Sequence, residues 1–167
     1  LESIPNYNAF LDAKNFKKVV EKNGLSIIGQ TKQICPADKK IYALRDLTAT
    51  IESVPLICGS ILSKKIAEGI SGLVLDIKIG NGAFMKNKTE ANVLGQYLEK
   101  IGRGFNLDVQ YAITDMNQPL GKYSGLMCEI IESIETLKGN GPNDLLELTY
   151  HLGKKCLKIA GISNPID

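Results

Sequence analysis

Three side chains in one stretch of this 167-residue chain have the types and spacing to do chemistry together. Within YALRDLTATIESVPLICGSILSKK, residues 42–65, Arg45 stands fifteen positions before Ser60, and Ser60 stands four before Lys64. Pro55 suits the first turn of a helix, where its fixed φ and missing N–H cost nothing. A helix starting there puts Ser60 and Lys64 on one face, about 40° apart at ~100° per residue. Arg45 belongs at the end of an earlier helical stretch. A planar fork of donors, a hydroxyl that donates or accepts, and a point cation can then converge on a small flat ligand rich in carbonyl oxygens. The bland alternative for Lys64, set among Leu56, Ile57 and Ile61, is a side chain that snorkels to water along its own methylenes. Asp46, beside Arg45, offers either an orienting carboxylate for the guanidinium or a helix cap.

These side chains need a scaffold to position them. Phe16, Val19 and Val20 mark one face of a helix over residues 13–22, and residues 25–28 read as a short strand. Pro36 and Asp38 open a helix through residue 44; Ser53 is the N-cap of the next, which ends near Gly69. Residues 72–79 read as a buried strand with polar residues only at its far end. A Gly80-Asn-Gly82 loop follows, then a helix over 88–101 bounded by Gly102 and Gly104. Residues 109–113 form a second core strand, closed by Asp115 and Pro119, and helices follow at 126–137 and 143–159. Strands alternating with helices predict a single α/β domain over residues 1–167, its sheet largely parallel or mixed and flanked by helices. In such sheets ligands sit beyond the carboxyl ends of the strands, where residues 78–86 and 115–123 are polar and glycine-bearing.

Composition removes several function classes. Twenty basic and 18 acidic residues leave a net charge of +2, too balanced for a nucleic-acid stripe or a membrane-surface patch. The apolar stretches near 57–62 and 73–75 fall far short of the ~20 residues that span a bilayer, and no basic, apolar-cored leader opens the chain. The four cysteines are dispersed, without C-x-x-C and with a single histidine, as expected of reduced thiols in a cytoplasmic protein. His151 reads as structural or solvent-facing. The lone Gly80-Asn-Gly82 lacks the further glycine and the Lys-Ser/Thr pair of phosphate-binding loops, so a tight turn is favoured over direct phosphate contact. A start on Leu1 fits a piece of a longer protein.

Residues 42–65, followed by LDIKIGNGAFMK (75–86) and TDMNQPLG (114–121), resemble the pyrimidine-nucleoside and thymidine phosphorylases. The likeness runs from LESIPNYNAF at the first residue to at least LKGNGPNDLLEL (137–148). It implies the central α/β domain of a longer enzyme, with a helical domain and phosphate-binding segment before it and a further domain after it. A pyrimidine base is a flat, carbonyl-rich ligand of the kind described above. The implied reaction is phosphorolysis of a uridine- or thymidine-type nucleoside to free base and (deoxy)ribose 1-phosphate. Phosphate is the attacking co-substrate, and no organic cofactor is required. Arg45, Ser60 and Lys64 match the family's base contacts. Arg45 and Lys64 are then the catalytic cations that stabilise charge on the departing base, and Ser60 orients the ring.

The resemblance also implies a potassium site, with backbone carbonyls from Leu120 and Tyr123 and a carboxylate from Glu132. The stretch 121–129 departs from the family pattern at Lys122, Leu126, Met127 and Cys128, and a solvated helix carboxylate is the alternative for Glu132. The implied partners are a pyrimidine nucleoside and phosphate, with a homodimer for the full-length enzyme and no role for nucleic acid or membrane. With most phosphate ligands expected upstream, the chain by itself is expected to be inactive. Two rival readings stay open: a phosphoribosyltransferase-like enzyme of related fold, and a non-catalytic nucleobase-binding or interaction module.

Overall fold

A computed structural model describes residues 1–29 and 35–162, the side chain of Asp46 excepted. Among these residues the chain forms six helices and two strands: α1 (Ala13–Asn23), α2 (Pro36–Leu47), α3 (Val54–Ala67), β1 (Gly72–Ile79), α4 (Lys88–Gly104), β2 (Asp108–Asp115), α5 (Leu126–Leu137) and α6 (Asn143–Ile159). The class is α/β. β1 and β2 pair in parallel, in register from Gly72 opposite Asp108 to Ile79 opposite Asp115. α4 is the crossover that returns the chain to the amino-terminal end of the sheet, as a parallel pair requires.

Local chemistry explains where the helices begin and end. Pro36 opens α2 with Asp38 in its first turn and Arg45 in its last, each charge facing the dipole end that favours it. Pro55 sits in the first turn of α3, and Lys64 and Lys65 close it. Asn87 caps α4 by accepting the Glu90 N–H at 3.0 Å, while Glu90 takes the Lys86 N–H at 2.9 Å, so two orphan donors are satisfied together.

The core lies on one face of the sheet. Leu73, Leu75, Ile77 and Ile79 of β1 alternate onto it and pack with Cys58 and Leu62 of α3 and with Ala91, Leu94 and Leu98 of α4. α6 covers part of the opposite face, where Gly72 lies so close to Ile159 that an added Cβ would fall 2.2 Å from its Cγ2. No described helix is long and apolar enough to cross a membrane.

Three details differ from the sequence expectation. Residues 25–28 are not a strand: the segment makes single contacts, Tyr7 hydroxyl to the Ile27 carbonyl and Gly29 N–H to the Ala9 carbonyl at 2.8 Å, instead of a ladder. Leu25 and Ile27 are accordingly exposed. α4 runs through Gly102 instead of stopping before it. That glycine permits close packing, since a Cβ there would lie 2.4 Å from Val109 Cγ2. β1 is half-buried, with alternating faces. Asp76 and Lys78 point away from the core, where Lys78 Nζ lies 2.7 Å from Asp76 Oδ2 and donates to Thr114 Oγ1 at 2.9 Å.

Candidate active site

α3 brings two of the singled-out side chains together by its own periodicity. Ser60 and Lys64 are four residues apart, and Lys64 Nζ donates to Ser60 Oγ at 3.1 Å. The same ammonium donates to Asp38 Oδ2 at 2.9 Å, tying α3 to the first turn of α2. Arg45 lies seven residues beyond Asp38, two turns along and about 20° around α2, so its charge falls on the same side.

Arg45 is almost wholly buried, at 4% exposure. Its Nη1 donates to the Leu56 carbonyl at 3.4 Å and its Nη2 to the Ile51 carbonyl, so the guanidinium also staples the α2–α3 connection. Its carbon stands 5.2 Å from the centre of the Tyr42 ring, within cation–π range. The Nε–H is buried and has no partner among the described residues. Such a donor is costly unless something accepts its proton.

Arg45 and Ser60 line one cavity of about 420 Å³. Its other walls include Tyr42, Ile57, Leu75, Leu94 and Leu98, with Phe84, Met85 and Met116 at the carboxyl ends of the two strands. This is the edge that α/β topology designates for ligands, and the volume suits a nucleoside-sized molecule. Lys64 is not among the lining residues; it joins the site through Ser60 and Asp38. The side chain of Asp46, offered above as an orienter of Arg45, lies outside the described residues.

Asp38 is the site member that the sequence reading missed, having served there only to open a helix. A carboxylate seven residues before the arginine, on the same helical face, was the available signal. Burial pushes the Asp38 carboxyl up, but hydrogen bonds from Lys64 and Ser60 and the charges of Lys64 and Arg45 outweigh it and hold the group below its ordinary value of 3.8. The unfolded chain takes up this proton first on acidification, so the pair stabilises fully above 3.8 and loses its contribution as the pH falls through the lower folded value. The stability gap between wild type and Asp38→Asn, from urea unfolding, is therefore expected to hold above about pH 5 and to narrow as the pH falls below 3.8.

The Gly80-Asn-Gly82 loop is a turn whose donors are already engaged. The Asn81 N–H goes to Asn117 Oδ1 at 3.0 Å, Gly82 N–H to the Met116 carbonyl at 3.0 Å and Ala83 N–H to the Gly80 carbonyl at 3.1 Å. Gly80 has φ +117°, and a Cβ there would strike Asn117. A phosphate cradle needs free N–H groups, and these three are spent.

Glu132 is a buried carboxylate, so the reading of it as a solvated helix residue does not hold. Its Oε1 accepts the Lys122 N–H at 2.9 Å, and Gly121 approaches so closely that a Cβ would lie 2.4 Å from Oε2. The structure thus seats Glu132 against the peptide segment between Leu120 and Tyr123. Asp144 holds the same loop through the Gly121 N–H at 3.0 Å. Among the described residues no three His, Cys, Asp or Glu side chains group to hold a metal ion. A buried carboxylate is nevertheless a hard oxygen donor, the chemistry that fits an alkali cation. All four cysteines are free thiols, and burial pushes the Cys58 thiol up, keeping it protonated. His151 is exposed.

The family model described as "Glycosyl transferase family, a/b domain" matches residues 1–164. A pyrimidine-nucleoside phosphorylase of Staphylococcus epidermidis is 46% identical over 167 residues, which is 100% of this chain and 39% of that protein. A pyrimidine-nucleoside phosphorylase of Staphylococcus aureus is 44% identical with the same coverage. The chain thus spans about two-fifths of the length of the curated relatives it matches.

Proposed function

Because this chain belongs to the glycosyl transferase family and is its α/β domain, we propose that it forms the base-binding part of a pyrimidine-nucleoside phosphorylase. One observation carries the reading. Arg45, whose buried Nε–H has no partner among the described residues, and Ser60 face the same largely apolar cavity at the carboxyl ends of two parallel strands. Donors against a flat apolar slot suit the carbonyl edge of a uracil or thymine ring. Phosphorolysis makes the pentose carbon cationic while negative charge gathers on the departing base. Arg45 and Lys64 are the cations that would meet this charge, and Ser60 the group that would orient the ring. Phosphate supplies the nucleophile, so none of the three is required to attack.

The rest of the reading is of one piece with this. Glu132 and the carbonyls of Leu120 and Tyr123 would hold a potassium ion, whose charge would fix the loop after β2. The substrates are a uridine- or thymidine-type nucleoside and phosphate, the full-length assembly is a homodimer, and four free thiols fit a cytoplasmic setting. The phosphoribosyltransferase alternative is not favoured, since it lacks support from the relatives.

Titration with uracil or thymine, followed by NMR, tests the base site. A free base has few atoms, and an open pocket screens charged contacts, so millimolar affinity is expected, about −4 kcal/mol. Amides around Ser60 and Lys64 should shift before those around His151, and Lys64→Ala should abolish the effect. Uniform shifts along the chain, or none at saturating base, would overturn the reading.

A further inference from the structure

The base site contains a carboxylate that the reaction does not ask for. Catalysis at a base that gathers negative charge calls for cations, yet Asp38, 9% exposed, sits 2.9 Å from the ammonium of Lys64. Burying a carboxylate is costly unless it is paired. Something about the site must make the negative charge useful.

We propose that Asp38 is a positioning and specificity residue: it holds Lys64 against Ser60 and cancels one of the two cationic charges, so that the site selects a neutral pyrimidine over its anion. The inference rests on the base-binding reading and deepens it. A cation in the wall of a partly enclosed, largely apolar pocket, with a second behind Ser60, would bind any anionic ring tightly, because the interior strengthens charge interactions relative to water. With Arg45 and Lys64 against Asp38, and Lys78 of the cavity wall paired with Asp76, the local sum is +1. That leaves attraction for the charge that develops as the glycosidic bond breaks, without a trap for ligands that arrive already charged. Geometry serves the same end. Lys64 Nζ gives one proton to Asp38 and one to Ser60 Oγ, which leaves one of its three donors without a partner among the described residues, and the pairing keeps the ammonium from swinging to solvent.

The test separates charge from structure. Asp38→Asn keeps the shape and an oxygen to accept from Lys64 but removes the charge; Asp38→Glu keeps the charge. Affinities for uracil, neutral at neutral pH, and for 5-nitrouracil, whose nitro group makes the same ring an anion there, are measured by calorimetry on the full-length protein. Asp38→Asn is expected to raise the affinity for the anion relative to uracil by about tenfold or more, while Asp38→Glu keeps the wild-type ratio. A purely structural pair would weaken both ligands alike and leave the ratio unmoved, and that result overturns the proposal. Should Asp38→Asn fail to fold, Asp38→Ser, which also removes the charge, must move the ratio in the same direction, and an unmoved ratio there overturns it equally. If wild type binds neither ring, the base-binding reading fails first and takes the proposal with it. If wild type binds uracil and only the ratio fails to move, the reading stands and the role of Asp38 falls.

Discussion

If the proposed function holds, Arg45→Ala and Lys64→Ala, each made in the full-length protein, are expected to lower kcat/KM for pyrimidine-nucleoside phosphorolysis by about 100-fold or more. The scale is that of removing one preorganised donor from a site of developing charge, about 2.7–4 kcal/mol. The two variants should differ in how the loss divides. Lys64 approaches the site through Ser60 and Asp38, and a cation that matters most when the base is leaving costs kcat when it is removed. Arg45 lines the cavity and also holds the Leu56 and Ile51 carbonyls, so its removal should raise KM and lower stability as well.

Arg45→Lys guards the first result against an unfolding artefact. It keeps the charge and loses the planar fork, so it cannot serve two backbone carbonyls and a ligand together. Activity is expected to stay depressed by at least about tenfold while most of the stability returns. Initial rates of base release from uridine and thymidine, followed by ultraviolet absorbance, read the effect. Wild-type turnover in a folded Lys64→Ala or Arg45→Lys protein would remove the roles assigned to them.

How much of this was written in the sequence depends on the range of the interaction. β1, α5 and α6 were bounded to the residue, because their punctuation is local: glycine before the strand, turn residues before and after the helices. Ser60 and Lys64 were legible for the same reason, since four residues of helix fix their separation whatever surrounds them. Residues 25–28 misled because alternating apolar residues describe a strand only where a neighbour offers a ladder, and pattern carries no information about neighbours. Asp38 was overlooked for a related reason: its partner lies 26 positions away on another helix, and an acidic residue in a first turn already has a sufficient local explanation. Gly102 was taken for a stop because glycine usually ends helices, and only the packing of α4 on β2 shows why it lies inside one.

That packing yields the largest expected effect on stability, at Gly95. The residue is buried in the middle of α4, and a Cβ built on it would lie 2.5 Å from Tyr111 Cζ and 2.6 Å from both Cε atoms. Two effects compete when a side chain is added. Alanine in place of glycine gains about 1 kcal/mol of helix propensity, whereas forcing a side chain into a filled core costs about 1–3 kcal/mol. The Tyr111 ring cannot simply swing aside, because it lies on the face of β2 that α4 covers and its hydroxyl hydrogen-bonds Asn92 Oδ1 at 3.2 Å, one turn back along the same helix. Overpacking should therefore win. Gly95→Val, with two further methyls and a poorer helix former, is expected to cost about 3 kcal/mol, a drop in Tm of about 6–12 °C at this size. The double variant Gly95→Ala/Tyr111→Leu decides the cause: if the ring is the obstacle, the pair recovers most of the alanine penalty, a coupling of about 1 kcal/mol or more between the two positions. Simple additivity would place the cost elsewhere. Leu94 and Leu98 flank Gly95 on α4 and line the cavity, so a helix pushed off the sheet must also move the wall that faces Arg45 and Ser60.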